Sequence, residues 1–149
     1  MMIEYGYLAY QFLKNKEREL KTIKGLTNEE SGGVFYYEKT WYGLIRIREF
    51  VEIENVRKIY DENTKSDMYL PDGIEYRKAV QSGIKCGFNI GDWHTHFGNV
   101  TPSGKDDETM MHKVKVDLSL IPSAAMIIIS ENQSKLFIYK RYLIKTQIL

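Results

Sequence analysis

The chain has 149 residues and a net charge of +1, with 43% hydrophobic and 28% charged residues. Those proportions fit one soluble domain with a real core, and they exclude a disordered chain, a bilayer-spanning protein and a strongly basic nucleic-acid binder. Its single cysteine, Cys86, cannot form an internal bridge, and the start Met1 to Tyr7 has neither a basic region nor a long apolar run, so a cytoplasmic protein without a leader is expected.

Leu8, Phe12, Leu20 and Ile23 fall near helical spacing among charges, which predicts a helix over 8–23 ended by Gly25. The polar turn Thr27 to Gly33 follows. Apolar Val34 to Tyr37 reads as a strand. A second strand spans about Trp41 to Ile53, joined to the first across Glu38 to Thr40. In it Ile45, Ile47, Val51 and Ile53 alternate with Arg46, Arg48, Glu52 and Glu54, with a slip in the period near Glu49. Residues 54–68 are charged and aperiodic and read as a loop. Pro71 opens a predicted helix to about Ile84, with Cys86 expected buried near its end. Phe88 to His96 reads as a strand, 97–102 as a loop, and Ser103 to about Leu118 as a helix. Pro122 breaks the chain, and strands follow at Ala124–Ser130 and Leu136–Leu143. This order predicts a single α/β (α+β) domain over 1–149, a mixed sheet flanked by helices.

Two of the three histidines lie in Gly91-Asp92-Trp93-His94-Thr95-His96. On a strand, residues two apart share a face, so His94 and His96 are a natural pair of metal ligands, with Trp93 turned to the core. A catalytic zinc takes three protein ligands and keeps one position open. Asp106, in the first turn of the next helix, is the candidate third, with Asp107 as the alternative. Glu30, beside Glu29 and before two glycines, is the candidate general base, and Ser103 a candidate hydrogen-bond donor to an oxyanion. Each residue also has a plain structural reading. His94 and His96 would be a strand-end pair, Ser103 and Asp106 a helix capping box, and Glu30 a solvated turn residue. His112 reads as an ordinary surface or packing residue.

Glu30-Ser31-Gly32-Gly33, then Trp93-His94-Thr95-His96, then Pro102-Ser103-Gly104-Lys105-Asp106 resemble, in that order, the JAMM (JAB/MPN) zinc metallopeptidases. Within that family the chain looks most like the short bacterial deconjugating enzymes of CBASS-type anti-phage operons. The resemblance implies a JAB/MPN (cytidine-deaminase-like) fold and one zinc per chain on His94, His96 and Asp106. It implies Glu30 as base and Ser103 at the oxyanion. It further implies cleavage after the C-terminal tail of a ubiquitin-like protein or its conjugates, with no nucleic acid or membrane as partner. Two positions depart from the pattern: Phe97 stands where the family has proline, and nine residues separate His96 from Asp106, one fewer than usual. If the loop cannot absorb that deletion, Asp107 takes the metal. Two alternatives accompany this reading. One is a non-catalytic scaffold or binding module of the same fold. The other is a RadC-like DNA-associated protein, which carries an added N-terminal helical segment that 149 residues of nearly neutral charge are not expected to hold.

Overall fold

The computed structural model describes residues 2–27, 29–56, 60–61, 66–67, 69–116, 123–140 and 143–148. In chain order they form β1 (Met2–Tyr5), α1 (Tyr7–Ile23), β2 (Gly32–Lys39), β3 (Leu44–Ile53), β4 (Tyr60–Asp61), β5 (Ser66–Asp67), α2 (Gly73–Lys85), β6 (Asn89–Thr95), α3 (Gly104–Val116), β7 (Ser123–Ile129), β8 (Ser134–Lys140) and β9 (Leu143–Ile148). Seven strands make one mixed sheet in the order β1-β3-β2-β6-β7-β8-β9. β1 runs parallel to β3 and β6 parallel to β7, and the remaining pairs are antiparallel. The expected mixed sheet with helices is therefore present, with β6 at its centre.

The β2–β3 hairpin shows how local sequence sets the two faces. Tyr36 pairs with Glu49 and Tyr37 with Ile47, so Arg48 is an extra residue in β3. Before this bulge Ile45 and Ile47 face α1. After it Phe50 faces α1, while Val51 and Ile53 face the opposite side. The slip in the sequence period near Glu49 is that bulge. The hairpin turns later than expected, over Thr40 to Gly43. Leu44 O accepts from Thr40 N–H and Gly43 sits at φ +89, a conformation that favours glycine.

One face of the sheet is covered by α1. Ala9, Leu13 and Leu20 pack on Phe35, Ile47, Trp93 and Ile127 in the largest apolar cluster. The other face carries two smaller clusters. Under α2, Ala79 meets Val34, Tyr36 and Ile53. Under α3, Met110 meets Met126, Ile128, Phe137 and Tyr139. Between these two clusters the middle and C-terminal end of β6 carry Asp92 and His94, and the candidate site lies there.

Several expectations at the level of elements need correction. β1 was not foreseen, because four residues with alternating half-burial carry too little periodicity. The 54–68 segment, expected to be a loop, contains the paired β4 and β5. α2 starts two residues after Pro71, where Asp72 caps it by accepting from the N–H groups of Ile74 and Glu75. Cys86 is exposed rather than buried, as the residue ending α2. The last predicted strand is two: β8 ends at Lys140 and β9 begins at Leu143. The predicted end of the third helix, 117–118, and Pro122 lie outside the described residues.

Candidate metal centre

β6 presents its side chains in strict alternation, and the α1-facing set fixes the strand. Gly91 lies under the Phe35 ring, where an added Cβ would come within 2.2 Å of it. Trp93 packs edge-on against Phe12 with ring centroids 5.2 Å apart, and its indole N–H donates to Val51 O at 3.1 Å. Asp92 and His94 must then project from the opposite face, toward α2 and α3. His96 continues the strand, its N–H donating to Ile129 O at 2.9 Å.

The loop back to α3 ends in a capping box. Ser103 N–H donates to Asp106 Oδ2 at 2.8 Å, and Asp106 N–H donates to Ser103 Oγ at 3.0 Å. This cap aims the carboxylate. Asp106 Oδ2 lies 3.2 Å from His94 Nε2 and 3.3 Å from His96 Nε2, and the two Nε2 atoms are 3.1 Å apart. His94, His96 and Asp106 thus form one group able to hold a metal ion. Ligand atoms around a tetrahedral ion with bonds of about 2.0–2.1 Å stand roughly 3.3–3.4 Å apart, so the three atoms already have nearly the required spacing. Two imidazoles and a carboxylate are also a donor set suited to such an ion. The shorter loop delivers Asp106, and Asp107 is engaged elsewhere, its Oδ1 accepting from Tyr139 Oη at 2.7 Å.

The segment carrying Glu30 is tied to β6 through Thr95. Thr95 N–H donates to Ser31 O at 2.9 Å, and Ser31 N–H donates to Thr95 Oγ1 at 3.0 Å. Glycine is required at the two positions that follow. A Cβ on Gly33 would fall 1.8 Å from Val51 O, and one on Gly32 would fall 2.6 Å from Trp93 O. With the backbone this close, Glu30 reaches the cluster: Oε1 is 4.0 Å from His96 Nε2, and Oε2 accepts from Tyr69 N–H at 3.4 Å. Glu29 instead borders a separate cleft together with Glu19, Glu52 and Glu54. Ser103 is exposed and does not line the cavity at the cluster.

The electrostatics of the cluster follow from three lone-pair-bearing atoms facing one another. Burial opposes charge on the His94 imidazole, yet the hydrogen bond to Asp106 and the charges of Asp106 and Glu30 outweigh it, and its pKa is raised. Burial likewise acts to raise Asp106, but its hydrogen bonds with the two histidines, the charge of His94 and the Ser103 N–H hold it well below the ordinary carboxylate range. Burial lifts the Glu30 pKa, against the lowering effect of His94 and His96. The cluster therefore favours positive charge at its centre, which a proton or a cation can supply.

A cavity of about 360 Å³ adjoins the cluster, bounded by Leu70 and Pro71, by Thr109 and Met110 of α3, and by Asp92 and His94. At its inner end Tyr76 Oη donates to Asp92 Oδ1 at 2.7 Å, Lys113 Nζ donates to Tyr76 Oη at 2.9 Å, and Lys113 Nζ also pairs with Asp92 Oδ2. Burial and Asp92 push the Tyr76 hydroxyl up to about 12. Sequence reasoning missed this trio, although Asp92 lies two residues before His94 and so shares its face. It also missed Glu131, which is 2% exposed and accepts from Gly98 N–H at 3.0 Å and from Lys24 Nζ at 2.6 Å. His112 is exposed, as expected of a surface residue.

No protein-family model matches the chain, and no curated protein matches it. Among solved structures, the N-terminal domain of STIL from Trichoplax adhaerens aligns at 12% identity with a TM-score of 0.36, over 91% of this chain and 40% of that chain. The chain thus spans well under half the length of that protein, and a likeness so slight carries no argument about fold family or function. Among the described residues, no helix is long and apolar enough to cross a membrane.

Proposed function

We propose that the chain is a zinc-dependent (iso)peptidase of the JAMM type, cutting after the C-terminal tail of a ubiquitin-like protein or its conjugates in bacterial anti-phage signalling. The observation that carries this reading is convergence. His94, His96 and Asp106 meet with ligand spacing, and the Glu30 carboxylate stands beside them although 63 residues separate it from His94. The mixed sheet with helices on both faces supports a JAB/MPN (cytidine-deaminase-like) fold.

His94, His96 and Asp106 would hold the zinc, which when bound supplies a Lewis acid for the scissile carbonyl and acidifies a water. Glu30 accepts the proton of the attacking water at its carboxylate and returns it to the leaving amine. Its burial favours this exchange, because a carboxylate with a raised pKa holds a proton more readily than an exposed one. Ser103 Oγ accepts from Asp106 N–H, which leaves its own hydrogen to donate to the tetrahedral oxygen.

The test is hydrolysis of a ubiquitin fusion extended at its C terminus, by wild type and by Glu30→Gln. The variant is expected to keep its zinc and lose about 10³-fold in kcat, the loss typical of a missing general base. Zinc-loaded Glu30→Gln cutting at the wild-type rate contradicts the mechanism.

A further inference from the structure

We infer that Asp92 and Lys113, joined by Tyr76, form a positioning clamp that sets α3 against β6 in the register at which Asp106 meets the two histidines. The inference rests on the metal-site reading above and concerns residues that touch neither the ligand atoms nor the metal. α3 carries Asp106 in its first turn and Lys113 seven residues later, so both lie on one face of the helix, roughly 10.5 Å apart along its axis. β6 carries His94 and Asp92, two residues apart and again on one face. The two elements are therefore joined twice. Asp106 of α3 faces His94 of β6, and Lys113 of α3 pairs with Asp92 of β6 with the charges reversed. Met110, 3% exposed, packs between the two joints on α3.

Apolar contacts alone would not fix this register. Met110 against Met126 and Ile128 is a contact of flexible and branched side chains that tolerates a small slide of the helix. The charged joint does not tolerate it. Both oxygens of Asp92 are spent, Oδ1 on the Tyr76 hydroxyl and Oδ2 on Lys113, and Lys113 Nζ also donates to Tyr76 Oη. Three elements, α2, β6 and α3, thus meet at one closed set of hydrogen bonds with a single arrangement. An ion pair that is only partly buried, as this one is, contributes little net stability, so its value here is in geometry. The pair is neutral as a whole, so it presets the ligand spacing without adding charge to the site.

The test uses the full chain as Asp92→Asn/Lys113→Met, which removes both charges and leaves net charge unchanged, and as Tyr76→Phe. Zn²⁺ affinity is measured by competition with a chromophoric chelator, and the unfolding midpoint of the metal-free protein is recorded beside it. The double variant is expected to bind Zn²⁺ about tenfold more weakly, the order of loss seen when groups supporting a metal ligand are removed. Tyr76→Phe, which loses both hydrogen bonds of the hydroxyl but keeps the Asp92–Lys113 pair, is expected to bind about threefold more weakly and serves alone if the double variant does not fold. Wild-type Zn²⁺ affinity in the variants overturns the clamp whatever their unfolding midpoints. A wild-type chain that binds no Zn²⁺ overturns the metal site itself and the clamp with it.

Discussion

Asp106 and Asp107 are adjacent in the chain and reach different strands. Asp106 points Oδ2 at His94 and His96, while Asp107 accepts a hydrogen bond from Tyr139 of β8. The difference comes from the cap. Ser103 N–H holds Asp106 Oδ2, so the oxygen that caps the helix is also the one that faces the histidines. The capping reading and the metal reading of Ser103-Gly104-Lys105-Asp106 are one arrangement seen from two sides. Asp107→Asn should therefore keep full metal binding and lose about 1 kcal/mol of stability for the weakened Tyr139 bond. Loss of the metal in that variant would show the third ligand to be misassigned. At this scale the sequence was informative wherever a residue's role depends on its near neighbours. His94 and His96 share a face by strand period, and Gly32 and Gly33 mark close backbone approach. Its place before Gly32 and Gly33 favours Glu30 over its neighbour Glu29. What brings its segment to β6 is the pair of bonds between Thr95 and Ser31 across 64 residues, which no local pattern displays.

Among the elements, the loop between β6 and α3 decides whether Asp106 reaches the two histidines. Gly98 sits at φ +94, and its N–H is gripped by both oxygens of Glu131, which also pairs with Lys24. Glu131 stands two residues past the end of β7, the strand that also receives His96 N–H, so the loop is anchored two residues after its second histidine. Burial alone would raise the Glu131 pKa, but Lys24 and the Gly98 N–H lower it to about 2 from 4.5. A carboxylate whose folded value is depressed adds stability that is present above pH 4.5 and is lost as pH falls toward about 2. Glu131→Gln should cost about 2 kcal/mol at neutral pH, the worth of hydrogen bonds to a charged acceptor, and the gap between variant and wild type should close as pH falls through that window. Equal stability at pH 7, measured by denaturant unfolding, would remove Glu131 from this role. Elements with strong periods were legible from sequence: α1, β3 with its bulge, and β6. β1, β4 and β5 were not, because two to four residues cannot display a period and their pairing partners lie elsewhere in the chain. Glu131 falls between the predicted strands Ala124–Ser130 and Leu136–Leu143, and nothing local to it signals that its partners are Gly98 and Lys24.

Across the whole molecule, the position of the site follows from how the two faces of the sheet are filled. α1 covers one face with a continuous apolar cluster, which takes Trp93 of β6. α2 and α3 cover the other face separately, and the gap between their clusters leaves β6, the central strand, able to present Asp92 and His94 to a cavity. A mixed sheet was readable from the order of elements. The division of the second face was not, because it depends on where α2 and α3 settle relative to each other. The most direct measurement is the metal content of the purified chain and of Asp106→Ala, with thermal unfolding before and after chelation. One zinc per wild-type chain is expected, and little or none in the variant. Chelation should lower the wild-type midpoint by about 5–10 °C, as expected when roughly 2.7 kcal/mol of binding free energy is withdrawn from a domain of this size, and should leave the variant unchanged. A wild-type chain purified without metal, or an Asp106→Ala chain that holds as much as wild type, contradicts the account.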